Sequence, residues 1–364
     1  MRVINIMWSF GSAYASVHKV HTQILELLPP GSLIENWVLQ GEPDESPNIP
    51  TYQWNWPKWR LKPKGVGLLM LFATRAKLVK RLNESKPQLL LVDGLGTARL
   101  ILPLLLSRPG LQARVLFHGK TRIRGGDRRL FRQCAEQVKV VAVSHDLAEE
   151  LEVALGVPVT TIVSAFDPVK SNAQMLGRDE ARRRLGVEAT DVPVLGAVGR
   201  LVESKGFDTI LYALGLIRQR GGRFKLLIIG DGERRDYLSE LISKLGLADD
   251  AFLPGHIPEA EHIYRAFDIM LIPSHKEGLG LVLQEAVMAG VPVLVSDIAV
   301  FREQLGPVGP YLAVRDPQEW AACIEKLLHE KGFDQLAAEQ RAQLMPTGAW
   351  REFCNAWRAL LHVE

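Results

Sequence analysis

The chain is poor in cysteine, in long apolar runs and in two familiar binding signatures, and each shortage narrows what it can be. Its 364 residues hold three cysteines, Cys134, Cys323 and Cys354. Odd in number and far apart, they argue against both a disulfide framework and a zinc site. The longest apolar runs, Val66 to Ala73 and Leu100 to Leu106, fall well short of the ~20 residues that span a bilayer. The opening MRVINIMWSFGS breaks a strand-like run with Trp, Ser and Gly, so it does not read as a secretory signal. The expected location is cytoplasmic, with a peripheral place on the inner face of the cytoplasmic membrane left open. Gly-x-Gly-x-x-Gly is missing after the first strand of either half, which weighs against a nicotinamide enzyme. Asp-x-Asp occurs nowhere, consistent with chemistry that needs no metal. There is no tandem repeat and no low-complexity tract.

What is present is ordinary in bulk and uneven in detail. Apolar residues make up 47% and charged residues 23%, as in a globular protein, and the length fits two domains at roughly 150 residues each. Met1 to Ala165 carries 21 Lys/Arg against 13 Asp/Glu, a net +8, so the remainder holds −5 of the overall +3. The densest basic block interleaves Trp54, Trp56 and Trp59 with Lys58, Arg60, Lys62 and Lys64, followed by Arg75, Lys77, Lys80 and Arg81. Tryptophans among cations suit a membrane interface, where each cation near anionic lipid adds ~1 kcal/mol. Tryptophans packed on their own domain below a solvated loop are nearly as good a reading. Nucleic acid, bound by stacking, is disfavoured.

Two α/β halves follow from the patterning. In the first, VINIM, QLLLVDG, RVLFHG, KVVAVS and VTTIVS read as short apolar strands alternating with helices such as His18 to Leu28 and Asp146 to Leu155. Asp167 to Val187 reads as a polar connection. In the second half, VLGAVG, KLLIIGDG, AFLPG, DIMLIPS, PVLVSD and PYLAV alternate with helices at 207–219, 233–245, 260–266, 281–289 and 317–328. Near-continuous apolar strands imply a parallel, doubly wound sheet, in which ligands bind at the carboxyl ends of the strands.

Two motifs fall at such ends. After the strand DIMLI come Glu277, Gly278, Leu279, Gly280 and Leu281, with Glu285 inside the helix that begins there. Glycines let a ligand approach the backbone, and the amides near Gly280, Leu281 and Val282 are unpaired donors suited to a diphosphate. Glu285 lies about five residues into the helix, roughly 7.5 Å along its axis, where a carboxylate could accept bonds from paired ribose hydroxyls. Glu277 would face the other end of such a ligand, where a sugar would lie. After the strand VLGAV, Gly199-Arg200-Leu201-Val202-Glu203-Ser204-Lys205-Gly206 supplies two cations: Arg200 as a rigid fork for phosphate oxygens and Lys205 from the tip of the loop.

With Gly-Arg-Leu-x-x-x-Lys-Gly, Ile-Gly-Asp-Gly at 229–232, Pro-Gly-His at 254–256, Pro-Ser at 273–274 and the two glutamates in hand, the chain resembles the retaining glycosyltransferases of family 4, over 194–314 in particular. The resemblance implies the GT-B fold: two Rossmann-like doubly wound domains facing a central cleft, with a last helix crossing back to the N-terminal domain. It implies an acceptor domain at 1–168, a nucleotide-sugar domain at 169–348 and a closing helix at 349–364. It places the donor diphosphate on Arg200 and Lys205, the ribose on Glu285, the transferred sugar against Glu277 and the base near Gly255 and His256. It sets His118 near the reacting centre and Gly11 in the first-strand loop, although the family's Gly-Gly is Phe10-Gly11 here. Asp167 keeps its place while the family's Asn-Gly before it is replaced by Ser164 and Ala165.

The activity implied is metal-independent, retaining hexosyl transfer without a cofactor, from a nucleotide-sugar (UDP-sugar favoured) to a glycan or lipid-linked acceptor of lipopolysaccharide-core or cell-surface polysaccharide type. The family suggests same-face displacement, with the leaving phosphate taking the acceptor's proton. A catalytically silent GT-B subunit, and an epimerase or sugar phosphorylase on the same fold, remain the alternatives.

Overall fold

The computed structural model describes residues 1–9, 15–40, 49–61, 66–187, 191–330 and 332–362. Strands β1 (Arg2–Ser9), β2 (Leu33–Gln40), β3 (Thr51–Gln53), β4 (Leu89–Asp93), β5 (Gln112–Phe117), β6 (Val138–Ala142) and β7 (Val159–Thr161) form one parallel sheet in the order β3-β2-β1-β4-β5-β6-β7. Strands β8 (Val194–Val198), β9 (Lys225–Ile229), β10 (Ala251–Gly255), β11 (Ile269–Ile272), β12 (Val293–Ser296) and β13 (Tyr311–Leu312) form a second, in the order β10-β9-β8-β11-β12-β13. All pairings are parallel. In each sheet the strand order reverses beside the first strand: between β1 and β4, and between β8 and β11. Such a reversal opens a crevice at the carboxyl ends of the two strands.

Strands β2 and β3 are absent from the sequence reading. LIENWVLQ carries Glu35 and Asn36 inside an otherwise apolar run, which hides its strand character. The fold satisfies both groups. Glu35 Oε2 accepts from Trp37 Nε1 (3.1 Å), Arg81 Nη2 (3.1 Å) and Ser85 Oγ (3.0 Å). Asn36 Oδ1 accepts from Asn5 Nδ2 across the β1–β2 pair (3.0 Å). A buried polar group with its hydrogen bonds made costs little.

The second core forms around the helix Phe207–Gln219. Its residues Phe207, Ile210, Leu214 and Ile217 recur at helical spacing and bury one face among β8, β9 and Trp320 and Ile324 of the helix Pro317–Glu330. The stretch read as a connection, Asp167 to Val187, is built into this unit. Asp167 caps the helix Pro168–Gln174 by accepting from Val169 N (2.9 Å) and Lys170 N (3.2 Å). Arg178 and Arg182 of the helix Arg178–Arg184 both bind Asp268, which also accepts the Val194 amide at 2.8 Å. These bonds tie the segment to the amino ends of β8 and β11.

The chain divides into one unit of Met1–Ser164 with Glu352–Glu364, and a second of Ala165–Arg351. The helix Pro346–Leu361 therefore ends in the first unit, where Arg114 Nε on β5 donates to the Leu360 carbonyl at 2.6 Å.

The basic, Trp-rich block differs from a three-tryptophan membrane face. Trp54 packs edge-on to Trp37 (ring centroids 5.7 Å apart) and against Trp56 (4.4 Å). Trp56 is 5% exposed and lies below Arg60, whose guanidinium carbon is 5.1 Å from its ring centroid. A tryptophan ring gains more from packing on its own sheet than from solvent, so two of the three are taken up within the first unit. Trp59 remains 52% exposed. Lys62 and Lys64, the side chain of Lys58, and Gly11 lie outside the described residues. No helix among the described residues is long and apolar enough to cross a membrane.

Candidate functional site

The carboxyl ends of β8 and β11 lie side by side, and the loops that leave them press backbone to backbone. Gly206 closes the first loop at φ +65°, and a Cβ there would meet the Pro273 carbonyl oxygen at 2.1 Å. The His275 amide donates to the Ser204 carbonyl at 2.8 Å. Across this seam Lys205 Nζ meets Glu277 Oε1 at 2.5 Å, and buried Ser274 donates its hydroxyl to the same oxygen at 2.7 Å. The sequence suggested separate partners for Lys205 and Glu277. The structure joins them, because adjacent strands at the reversal point bring their exit loops within a side chain's reach. Arg200 stands exposed at the start of the loop and makes no ion pair among the described residues.

Gly280, at φ +78°, begins the helix Leu281–Met288, and a Cβ on it would fall 2.5 Å from Phe301 Cε1. Leu283 N already bonds to the Gly280 carbonyl (2.9 Å), while Leu281 and Val282 hold helix-start amides with no intrahelical acceptor. The turn is held from behind. Gln304 donates to the Leu279 carbonyl (2.6 Å) and accepts from Gln284 (3.0 Å), while the Leu279 side chain is buried and Gly278 half-buried. Glu285 is 7% exposed and accepts from Tyr264 OH at 3.1 Å. Burial first, and the Glu285 charge second, push the Tyr264 phenol well above its ordinary pKa, so it stays a donor. Gly255 ends β10 and exposed His256 follows it, two strands from β8 or roughly 10 Å at ~4.8 Å per strand.

Tyr264 and Gln304 carried no signal in the sequence, and Ser274 entered only as part of the Pro-Ser motif, with no role attached. Tyr264, in the helical turn Ala260–Ala266, and Gln304, in the helix Ala299–Leu305, are tied to Glu285 and the Gly280 loop only by the fold.

The first unit has its own polar cluster at the corresponding edge. Asp93 ends β4, His118 follows β5, and His21 lies on the helix Ala15–Glu26. His21 is 1% exposed; its Nδ1 is 2.7 Å from Asn5 Oδ1 and its Nε2 is 3.2 Å from His118 Nε2. Because Asn5 donates its amide nitrogen to Asn36, its oxygen faces His21 and takes the Nδ1 proton. His21 Nε2 is then an acceptor and His118 Nε2 the donor to it, which leaves the His118 Nδ1 lone pair free of that bond. Both rings are neutral: burial, with nearby His18, lowers His118 to about 3, and burial followed by His118 and His18 lowers His21 well below its usual value. Burial raises Asp93 to about 6 despite the Trp8 amide bonding it at 3.4 Å.

Two Rossmann-like units with parallel sheets, each with a reversal beside its first strand, define the GT-B fold. The structure of Anabaena HepE in complex with UDP and glucose superposes on the chain with a TM-score of 0.76 at 18% identity, covering 99% of this chain and 98% of that one. Residues 178–345 match the family model described as Glycosyl transferases group 1. The 2-deoxystreptamine glucosyltransferase of Streptomyces kanamyceticus is 30% identical over 200 residues, 54% of this chain and 51% of that protein. The D-inositol 3-phosphate glycosyltransferase of Thermobispora bispora is 37% identical over 171 residues, 43% of this chain and 39% of that protein. The chain thus spans about half the length, or less, of the curated relatives it matches.

Proposed function

We propose that the protein is a retaining glycosyltransferase that moves a sugar from a nucleotide-sugar, UDP-sugar favoured, to a hydroxyl of a glycan or lipid-linked acceptor. The observation that carries this reading is the junction of β8 and β11, where Lys205, Glu277 and the Gly280 helix start converge, with Glu285 one turn further on. Arg200, Lys205 and the amides of Leu281 and Val282 take the diphosphate. Glu285, steadied by Tyr264, takes the ribose; Gly255 and His256 flank the base; Glu277 faces the sugar. The C1–phosphate bond breaks as the acceptor oxygen forms its bond to C1 on the same face. The acceptor's proton passes to the leaving phosphate oxygen, with His118 beside the reacting centre. Preorganised cations and amides do the work a metal would otherwise do.

Support for UDP comes from the UDP and glucose in the HepE complex. For the acceptor, a lipid-linked glycan of lipopolysaccharide-core or polysaccharide type fits the +8 charge of the first 165 residues and exposed Trp59. A small cyclitol is favoured instead by the names of the relatives, which specify 2-deoxystreptamine and D-inositol 3-phosphate. Transfer assays with each acceptor class separate the two, and anionic liposomes at low salt test the surface contact.

The deciding experiment is calorimetric titration of UDP, GDP and ADP, with and without magnesium, into wild type and Glu285→Gln. UDP binding that is independent of magnesium and at least ~10-fold weaker in the variant, a loss of about 1.4 kcal/mol, is expected. Preference for another nucleotide reassigns the base. Binding of none leaves the silent-subunit reading, and UDP-sugar turnover without an acceptor leaves an epimerase.

A further inference from the structure

The polar cluster of the first unit has the make-up of a metal site, although the scarcity of cysteine pointed away from one. Cysteine spacing carries no information about His21 and His118, which lie 97 residues apart in the chain and meet only in the fold. Three observations converge there. The two Nε2 atoms are 3.2 Å apart, so an ion about 2.1 Å from each would subtend about 100°, a normal bite for two imidazoles on one metal. One ligand atom from each of His21, His118 and Asp93 lies within 4.8 Å of the others, so closing onto a shared ion takes an approach of about 1.5 Å. The third concerns what surrounds the ligands. His21 gives its other ring nitrogen, Nδ1–H, to Asn5 Oδ1, and Asn5 is held in turn by Asn36. Metal-bound histidines make this kind of bond, which fixes the tautomer with the Nε2 lone pair facing the ion.

We infer that His21, Asp93 and His118 form a binding site for a divalent transition metal of the zinc class. Imidazole nitrogen with a single carboxylate suits zinc, cobalt or nickel better than magnesium or calcium. Binding needs no net loss of a proton from the histidine pair. The proton that His118 Nε2 shares with His21 moves to His118 Nδ1, and both Nε2 lone pairs turn to the metal. Three protein ligands leave a fourth position open, at the carboxyl edge of β4 and β5, for water or a hydroxyl. The site lies wholly in the first unit and stands whether or not the second binds a nucleotide-sugar.

The test is titration of the intact chain with Co²⁺, read by its visible absorption, and with Zn²⁺, read by calorimetry. Wild type, His21→Gln, Asp93→Asn and Glu285→Gln are compared. Expected are one equivalent bound, a Co²⁺ spectrum of four- or five-coordinate form, affinity lowered at least ~10-fold in each first-unit variant, and no change in Glu285→Gln. Asp93→Asn alters a single oxygen and guards against misfolding of the His21 variant, with thermal melting as the check. No binding, or binding that neither first-unit substitution weakens, overturns the site and leaves a hydrogen-bonded histidine pair. UDP titration of the same samples separates that failure from a failure of the donor site.

Discussion

Lys205 is held before any ligand arrives. Its ammonium sits 2.5 Å from Glu277 Oε1, which also receives the Ser274 hydroxyl, so the cation is aimed by two loops and spends little entropy on finding its place. If it stabilises a departing diphosphate, Lys205→Ala lowers kcat by roughly 10²- to 10³-fold, while nucleotide affinity falls less. Affinity lost with turnover intact would show that Lys205 serves binding alone. Asp93 makes a separate, signed prediction. Its pKa is raised to about 6 by burial, so the folded state holds a proton that the unfolded chain releases near 3.8. The ionised group therefore penalises the fold above about pH 6, and the penalty vanishes below about pH 4. Asp93→Asn is expected to raise metal-free stability at pH 7 by up to about 3 kcal/mol and to change almost nothing at about pH 3. Paired urea melts in chelator check this, and a loss at pH 7 would mean that Asp93 makes a stronger contact than the Trp8 amide. The buried histidines carry the opposite sign. Their lowered values mean that stability falls as the pH drops below about 6.5, where the unfolded rings gain protons first.

At the scale of elements, the exit loops matter more than the strands that carry them. Gly280 combines φ +78° with a Cβ position 2.5 Å from Phe301 Cε1. Gly280→Ala is therefore strained by at least ~1 kcal/mol and must shift the helix start, so its melting point and UDP affinity should both fall. Adding Phe301→Leu should return part of the stability and little of the affinity, since the backbone strain persists. UDP binding unchanged in Gly280→Ala would remove the helix-start amides from the site. The same loops show where sequence suffices. The Gly-rich turns after apolar VLGAV and DIMLI are legible, because a buried parallel strand and the helix after it leave a periodic record. Tyr264 and Gln304 are not legible, since they act through hydrogen bonds to residues 20 or more positions away in the chain. Strand β2 was hidden for a related reason: two of the three partners of Glu35, Arg81 and Ser85, lie on the distant helix Val66–Ser85, so a carboxylate in the middle of the run looks like a loop.

On the scale of the whole molecule, the two sheets were readable from hydrophobic runs, while the packing of the tryptophans was not. Trp54 and Trp56 share a composition with an interfacial belt, and only the fold shows that their rings stack on β2 and below Arg60. The C-terminal helix makes a comparable point about connectivity. It starts at Pro346 in the second unit and ends in the first, with Phe353, Trp357 and Leu361 buried and the Leu360 carbonyl bound by Arg114. Trp357 is 1% exposed, and cutting it to alanine should cost about 3–5 kcal/mol. That cost should fall on the first unit, even though residue 357 follows the whole of the second in sequence. Hydrogen exchange on Trp357→Ala is expected to lose protection in β1, β4 and β5 while β8, β9 and β11 keep theirs. Equal loss across both sheets would mean that the two units unfold as one, and loss confined to β8–β13 would assign the helix to the second unit.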